Sequence, residues 1–266
     1  MLPFTTEETI SNSEEQLINF PTQHDLPCDD DDVMETLRHK YQMDLLLETI
    51  YPWLEKRQDG FAAGNMFVYF SPYQVKKYDY KGPDFFCVLD VSQQERKSWV
   101  VWEEGKTPDV VIELLSESTA NYDKTKKKLV YQDRMRVPEY FWYDPFNPDD
   151  WAGFAIVEGV YQPLTRDDKN RYISKKLQLA LVCWQGVYRG VDTVWLRWET
   201  LDGELLLTDK EVSEQEKQRA EQEKQRAEQE KQRAEQEKQR ADDAELEIAR
   251  LRDLLKNSGV DINGLE

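Results

Sequence analysis

The order of apolar and polar residues predicts a helix followed by a series of short strands. Over residues 33–57, VMETLRHKYQMDLLLETIYPWLEKR, apolar side chains recur at helical spacing, and the pattern stops at the turn residues Asp59 and Gly60. The runs that come next are rich in β-branched and aromatic residues and are separated by turn residues: MFVYF, DFFCVLDV, SWVVWEE and DVVIELL. We expect each run to form a strand.

The same order then repeats. A second helix is predicted over about residues 121–135, and EYFWYD has the composition of another strand. Further short strands are predicted at GFAIVEG, at YQPLT and around LALVCWQGVYRG. The stretch WLRWETLDGELLLT predicts a closing hairpin that turns at Asp202 and Gly203. Helix, sheet, helix and sheet in this order predict an α+β fold.

A seven-residue repeat sets the C-terminal part of the chain apart. EQEKQRA occurs four times from Glu214, which spaces Ala220, Ala227, Ala234 and Ala241 by seven residues. With these alanines at heptad position a, position d is glutamate in the repeats, and the last two heptads alone carry apolar residues at both positions. The pattern predicts an extended, solvated helix that ends in an oligomerising segment over about residues 241–256. The alternative is a spacer with no further role.

Charge is concentrated at the two ends of the chain. The net charge is −18; residues 1–35 hold ten acidic residues and no Lys or Arg, and residues 211–266 hold 16 acidic and 11 basic residues. We therefore divide the chain into an acidic flexible arm (1–32), a folded domain (33–209), a charged helix (210–258) and a flexible tail (259–266). The acidic total disfavours DNA binding, which draws on cationic contacts, but the nearly neutral middle leaves it open.

Several classes of protein are not indicated. No apolar run reaches the roughly 18–20 residues of a membrane helix, and the N-terminal residues lack the features of a signal peptide. The three cysteines form no CxxC pair, and neither a GxxxxGK[ST] nor a GxGxxG phosphate-binding loop is present. We expect a cytoplasmic protein that has no membrane segment and no nucleotide cofactor.

One acidic residue interrupts an apolar strand. On a strand over residues 110–115, Glu113 shares a face with Val111 and Leu115. Such an acid is solvated, paired with a basic side chain, or bound to a divalent cation, because an unpaired buried carboxylate destabilises the fold. Asp84 follows a Gly-Pro turn at the start of another apolar run, and Asp109 is its rival. If these strands are neighbours, Asp84 and Glu113 converge; otherwise Asp84 is an ordinary turn residue.

A group of lysines follows Glu113 at the start of the second predicted helix. Lys124, Lys126, Lys127 and Lys128 lie within its first turns, and Lys124, Lys127 and Tyr131 share a face of an ideal helix. A helix that returns across the sheet would direct one ammonium group at the acidic residues, where it stabilises charge on a phosphoryl oxygen. The alternatives are a solvated basic face and contacts to phosphate groups.

Together these residues resemble a known family. The stretch PDVVIELLSESTANYDKTKKKLVYQDRMRVPEYFWYDP is similar to the hallmark segment of the Uma-two family of restriction endonucleases, and the resemblance extends over about residues 20–210. It includes DLPCDDDDVMETLRHKYQM, GNMFVYFSP, GPDFFCVLDV, SWVVWEEG and WLRWETLDGELLLT. The family implies the restriction-endonuclease-like PD-(D/E)XK fold: a mixed central sheet flanked by helices.

The resemblance implies a role for several residues. Asp84 matches the motif aspartate and Glu113 the acidic residue of the next strand, and together they would bind Mg²⁺ or Mn²⁺. The usual lysine two residues after that acid is Leu115 here, and Lys127 on the following helix matches best. Glu35 corresponds to an auxiliary acidic residue on the first helix. His39, one turn further along, is a weaker site candidate that also fits a structural role.

Two functions of different classes follow from these observations. The first is a metal-dependent endonuclease that hydrolyses DNA phosphodiester bonds, as a homodimer because cutting both strands of a duplex calls for two active sites. The second is a catalytically inactive, nuclease-like interaction module with an oligomerising or partner-binding helical tail. The acidic ends favour the second function, and the presence of Asp84, Glu113 and Lys127 favours the first.

Overall fold

The computed structural model describes residues 20–27, 36–72 and 80–257. The chain divides into two compact units, one ending at Leu206 and the other beginning at Leu207. The first unit is built of helices and sheets, and the second contains one long helix. The predicted flexible tail and most of the predicted acidic arm lie outside the described residues.

Helix α1 spans Leu37–Arg57 and begins where the sequence provides a cap. Thr36 precedes it in an extended conformation, and its side chain accepts a hydrogen bond from the backbone N–H of His39. The helix ends at Arg57; the next residue, Gln58, has a left-handed backbone (φ 60°), and its N–H donates to the carbonyls of Leu54 and Glu55. Residues 33–35, where we predicted the helix to begin, lie outside the described part, which is helical from Leu37.

The described residues form twelve strands. In chain order they are β1 (Phe61–Ala63), β2 (Val68–Tyr69), β3 (Tyr80–Lys81), β4 (Phe85–Val88), β5 (Trp99–Val100), β6 (Val110–Leu114), β7 (Glu139–Tyr143), β8 (Trp151–Val157), β9 (Val160–Pro163), β10 (Tyr172–Ser174), β11 (Leu179–Tyr188) and β12 (Val191–Thr200). Six of them form the central sheet in the order β1-β4-β6-β7-β8-β9. The β6–β7 pair is parallel and the others are antiparallel, so the predicted mixed central sheet is confirmed.

The central sheet is covered on both faces, and β6 shows how. Val110, Ile112 and Leu114 point to the face that packs against α1 and the β10–β12 sheet. Val111 points to the other face, where it meets the helical residues 120–135. Both faces of β6 are therefore buried, and Glu113, which lies on the same face as Val111, is enclosed by the second layer.

Two smaller sheets complete the first unit. One contains β3, β2 and β5, and the other contains β10, β11 and β12. The long β11–β12 hairpin turns at Arg189 and Gly190, both with positive φ, which suits a two-residue turn. The closing hairpin predicted at Asp202 and Gly203 is a different one and is present in part. The chain turns there, but the return arm is reduced to a bridge from Leu205 to β12.

Two predicted elements differ in the structure. The run SWVVWEE is not one strand, because after β5 the chain forms the short helix α2 (Val101–Glu104), which Gly105 (φ 69°) ends. The predicted second helix begins as α3 (Ala120–Tyr122) and continues through two π-helical segments, Asp123–Lys127 and Val130–Met135. Hydrogen bonds from i to i+5 widen a π-helical turn, so side chains along it do not follow the ideal α-helical spacing.

The second unit contains helix α4 (Asp209–Asn257), which confirms the predicted C-terminal helix. Its 49 residues make it about 74 Å long at a rise of about 1.5 Å per residue. A capping box starts it, since Thr208 accepts from the Glu211 N–H at 3.3 Å and the Glu211 carboxylate accepts from the Thr208 N–H at 2.8 Å. Every helix in the described ranges is too short or too polar to cross a bilayer.

Gly64 packs so closely that a methyl group would disturb the strand start at Asp84. A Cβ atom there would lie 2.8 Å from the backbone oxygen of Asp84 and also against Met43. We expect Gly64→Ala to lower the free energy of unfolding by about 1–3 kcal/mol, because backbone atoms cannot move aside as a flexible side chain can. Gly82→Ala is the matched control, since its Cβ would meet Phe67 at an ordinary 3.5 Å. Urea unfolding that shows equal stability for both variants would contradict this account.

Candidate active site

The candidate site lies where β4 begins and β6 ends. The antiparallel register pairs Phe85 with Ile112, so the preceding residue, Asp84, stands opposite the following one, Glu113. An oxygen of Asp84 accepts a hydrogen bond from the backbone N–H of Leu114 at 2.7 Å, which ties the two strands together at this point. The predicted neighbourhood of these two strands is thus present, and it brings the two acidic residues together.

Glu113 is fully buried, with 0% of its surface exposed. Its Oε1 accepts a hydrogen bond from the Tyr131 hydroxyl at 2.6 Å, and its Oε2 lies 2.8 Å from the Lys127 ammonium. That second contact is a close ion pair. Among the described residues, Oε2 has no hydrogen-bond donor besides this ammonium. A buried carboxylate oxygen in this state has a lone pair open to a further ligand.

Lys127 reaches Glu113 from the π-helical segment. Its side chain is 14% exposed, and its ammonium also lies 3.5 Å from an oxygen of Asp123, four residues earlier. Asp123, Lys127 and Tyr131 thus approach Glu113 from positions spaced by four residues. Of the predicted common face, Lys127 and Tyr131 contact Glu113, whereas Lys124 pairs with Asp150.

Asp123 was missed in the sequence. It is buried, and the charges of both Glu113 and Lys127 shift the pKa of its carboxyl group. The spacing of four residues to Lys127 was a usable signal, because ion pairs across one helical turn take this spacing. It was hidden by the lysine run, in which no residue stands out from the sequence alone.

The buried charges shift one another's pKa values. Burial raises the pKa of Glu113 to about 7, the nearby Asp84 charge adds to this rise, and the Lys127 ammonium opposes it. Burial likewise raises the pKa of Asp84 and of Asp123, with Lys127 again opposing. Although part of Asp84 reaches solvent, protein atoms surround its carboxyl group. Burial lowers the pKa of Lys127, but the three carboxylates outweigh burial and raise it, so this lysine stays charged.

Two other predicted residues do not join this group, and a third lies outside the described residues. Glu35 lies outside the described residues, and its predicted role stays a prediction. His39 is held through both ring nitrogens, 2.8 Å from the Thr36 hydroxyl and 3.0 Å from the carbonyl oxygen of Leu115, which fits the structural role. Asp109, the rival of Asp84, lies at the opposite end of β6 and pairs with Lys106 at 2.9 Å.

The donor set at the site fits a magnesium-type ion in part. Within residues 20–27, 36–72 and 80–257, no three His, Cys, Asp or Glu side chains are grouped as metal ligands. Mg²⁺, however, commonly binds through one or two carboxylates and completes its shell with water and substrate phosphate. Asp84 and Glu113 are opposed carboxylates, and within the described ranges the Lys127 ammonium is the one donor at Glu113 Oε2. The two residues therefore suit an ion that also binds the substrate.

Comparison with known families identifies the family of the chain. The model of the Uma2 family, described as "Putative restriction endonuclease", matches residues 24–182, which is more than half of the chain. The chain belongs to the Uma2 family. A second model, described as a Helicobacter pylori protein of unknown function, matches residues 196–263, most of which are the charged helix. The matched Uma2 segment contains Asp84, Glu113 and Lys127.

Solved structures and curated proteins carry no part of the Uma2 assignment. A crystal structure of "a putative nuclease" from Anabaena variabilis aligns at 14% sequence identity with a TM-score of 0.39, over 55% of this chain and 76% of that chain. A search of the curated proteins finds no match. The family assignment therefore stands on the sequence match over residues 24–182.

The stability of this Uma2 chain should depend on pH through Glu113. Its folded-state pKa of about 7 exceeds the ordinary 4.5, so the folded chain binds the proton more tightly and loses stability as the pH rises between these values. We expect Glu113→Gln to be more stable than the parent at pH 8, by up to about 3 kcal/mol, and equal to it at pH 4. Urea unfolding at both pH values measures the difference.

Glu139→Gln is the matched control on the neighbouring strand. Glu139 is also buried, but its carboxylate accepts hydrogen bonds from the Ser174 hydroxyl and from the backbone N–H groups of Lys175 (2.8 Å) and Lys176 (3.1 Å). Burial also raises the pKa of Glu139, but these three donors oppose the rise, so we expect Glu139→Gln to gain less stability at pH 8 than Glu113→Gln. Equal gains in the two variants would contradict the proposed imbalance at Glu113.

Proposed function

We propose that this protein is a metal-dependent endonuclease that hydrolyses DNA phosphodiester bonds at Asp84, Glu113 and Lys127. The observation that carries the proposal is the buried Glu113 carboxylate, opposed to Asp84 and in ionic contact with the Lys127 ammonium at 2.8 Å. Membership of a family described as restriction endonucleases supports DNA as the substrate. The cytoplasmic location expected from the sequence stays a prediction.

The charges of the site support a divalent cation as cofactor. Asp84, Glu113 and Asp123 carry three negative charges when ionised, and Lys127 is the cation whose charge acts on all three. A buried group with an excess of negative charge is costly, which is why the pKa values of all three carboxyl groups are raised. Mg²⁺ or Mn²⁺ at Asp84 and Glu113 would neutralise this excess.

The residues of the site would then have distinct roles. When bound, the ion would polarise the scissile phosphate and favour ionisation of the attacking water. Lys127 is placed to donate to that water or to a phosphoryl oxygen as its charge grows. Burial and the Glu113 charge raise the pKa of Tyr131, so its hydroxyl stays protonated and holds the Glu113 carboxylate in place.

Asp123 would act as a positioning residue for Lys127. If Glu113 binds an ion, its carboxylate is shared, and Lys127 loses part of that attraction. Asp123, 3.5 Å from the ammonium and buried, is the partner that remains. Its backbone carbonyl accepts a hydrogen bond from the buried Tyr140 hydroxyl at 3.0 Å, which fixes the π-helical segment against β7. A fixed ammonium group needs no reorganisation during the reaction.

The interaction module is the second candidate. The net charge of −18 is the observation that favours it, because cationic contacts to phosphate supply most non-specific DNA affinity. In that function the buried acids would be a remnant of a nuclease site. A two-copy assembly suits both functions: two sites can cut both strands, and a paired tail can join two modules.

Metal binding and cleavage test the catalytic proposal together. We expect Mn²⁺ binding by the parent, measured by calorimetry, and nicking of supercoiled plasmid. Asp84→Asn and Glu113→Gln should lose both, because each removes an ionised ligand. Lys127→Met should keep Mn²⁺ binding and lose nicking by about 10²–10³-fold, because it removes a charge that stabilises the transition state.

Two control variants sharpen that experiment. Lys124→Met removes a lysine of the same helix that pairs with Asp150, and Asp109→Asn removes a buried acid at the other end of β6. Both should bind Mn²⁺ and nick DNA within a few fold of the parent. A parent that neither binds Mn²⁺ nor nicks DNA would leave the interaction module as the function.

Asp123→Asn separates a positioning role from a structural one. We expect kcat to fall by about 10–100-fold, the size found for residues that orient catalytic groups. KM for DNA and Mn²⁺ affinity should change little. Stability at pH 8 should not fall, because the variant removes repulsion between Asp123 and Glu113. Asp150→Asn, the partner of Lys124, is the control. A loss of stability with unchanged kcat would make Asp123 a structural residue.

A further inference from the structure

The last part of helix α4 exposes large apolar side chains in a regular pattern. Leu246, Ile248, Leu251, Leu254 and Leu255 are all solvent-exposed in the single chain, and the exposed fractions of Ile248 and Leu251 are 51% and 49%. The helix is continuous through this segment, so their relative positions follow helical geometry. Ile248, Leu251 and Leu255 continue the heptad frame of the repeats at positions a, d and a, and Ala241 and Ala244 precede them at a and d.

We propose that a second copy of this chain packs on this seam, as a parallel two-stranded coiled coil over residues 241–255. The proposal is independent of the chemistry at Glu113. Isoleucine at a with leucine at d, as at Ile248 and Leu251, is the combination that favours two parallel strands. In this arrangement identical residues of the two copies meet, so both chains enter the pair from the same end.

The charges beside the seam are complementary in the parallel pair. Position g of one helix meets position e of the following heptad in its partner. Arg240 then faces the partner's Glu245, and Glu247 faces the partner's Arg252. An antiparallel pair that overlays the same apolar layers keeps Glu245 opposite the partner's Arg252. It places Glu247 opposite the partner's Leu254, however, and so loses one of the two kinds of ion pair.

The repeats before this seam limit how strongly the copies associate. Their d positions are Glu223, Glu230 and Glu237, which cannot form an apolar layer. Apolar burial is thus confined to the last two heptads, and we expect a dimer that forms in a concentration-dependent way. The repeats serve as a solvated helical segment of defined length between Thr208 and the paired seam.

Molar mass measured on the full chain tests the pairing. In light scattering or sedimentation equilibrium, the molar mass of the parent should rise with protein concentration, from that of the monomer towards twice that value. Ile248→Lys and Leu251→Lys should remove this twofold rise, and Leu246→Lys, which lies outside the seam, should keep it. Since these side chains are exposed, none of the variants should shift the melting temperature of the folded domain. A parent that stays monomeric, a mass above the dimer, or an unchanged dimer in Ile248→Lys would overturn the proposal.

Charge exchange and cross-linking test the orientation. Glu247→Lys and Arg252→Glu should each weaken the dimer several-fold, and the double variant should restore it. Ala244→Cys should form a disulfide between two copies under mild oxidation, because a parallel pair brings the two d positions together. The parent, which contains the natural cysteines, and Leu246→Cys, whose added cysteine lies outside the seam, are the controls. A dimer in which Ala244→Cys does not cross-link, or in which the double charge variant is not restored, would exclude the parallel arrangement.

Discussion

The burial of the Glu113 carboxylate is the constraint around which the first unit is arranged. β6 is covered on both faces, so a charged side chain in it must find partners inside the protein. Tyr131 supplies a hydrogen bond, Lys127 supplies a charge, and Asp84 stands opposite across the strand pair. These partners come from a neighbouring strand and from the helix that links β6 to β7. By bringing these partners together, the fold accommodates a carboxylate in its interior.

The two buried glutamates of adjacent strands show why Glu113 differs from a structural acid. Glu139 receives two backbone N–H groups and a hydroxyl, and these donors oppose the rise in its pKa that burial causes. Glu113 has one hydrogen bond, one ion pair and another acid nearby, and burial raises its pKa to about 7. Buried charged groups with too few partners are common in sites that bind ions or substrates, because a group whose hydrogen-bonding positions are all filled cannot also bind a ligand.

The helical segment between β6 and β7 connects the sequence to this arrangement. Residues four apart lie on one side of a helix, and Asp123, Lys127 and Tyr131 have this spacing. Lys127 and Tyr131 contact Glu113, Asp123 contacts Lys127, and Lys124 pairs with Asp150 instead. The position within this series thus decides which of four neighbouring lysines meets the buried acid.

The sequence by itself determined the α+β class, the strands around Glu113, the long C-terminal helix and the family, because these depend on periodicity and on local motifs. It also singled out Asp84, Glu113 and Lys127, through an acid in an apolar run and a family resemblance. The tertiary structure decided what depends on contacts between distant residues: the burial of Asp123 and the attachment of His39 to the carbonyl of Leu115. Periodicity indicates which face of a helix or strand a residue occupies, but the packing of the elements determines which residues it contacts there.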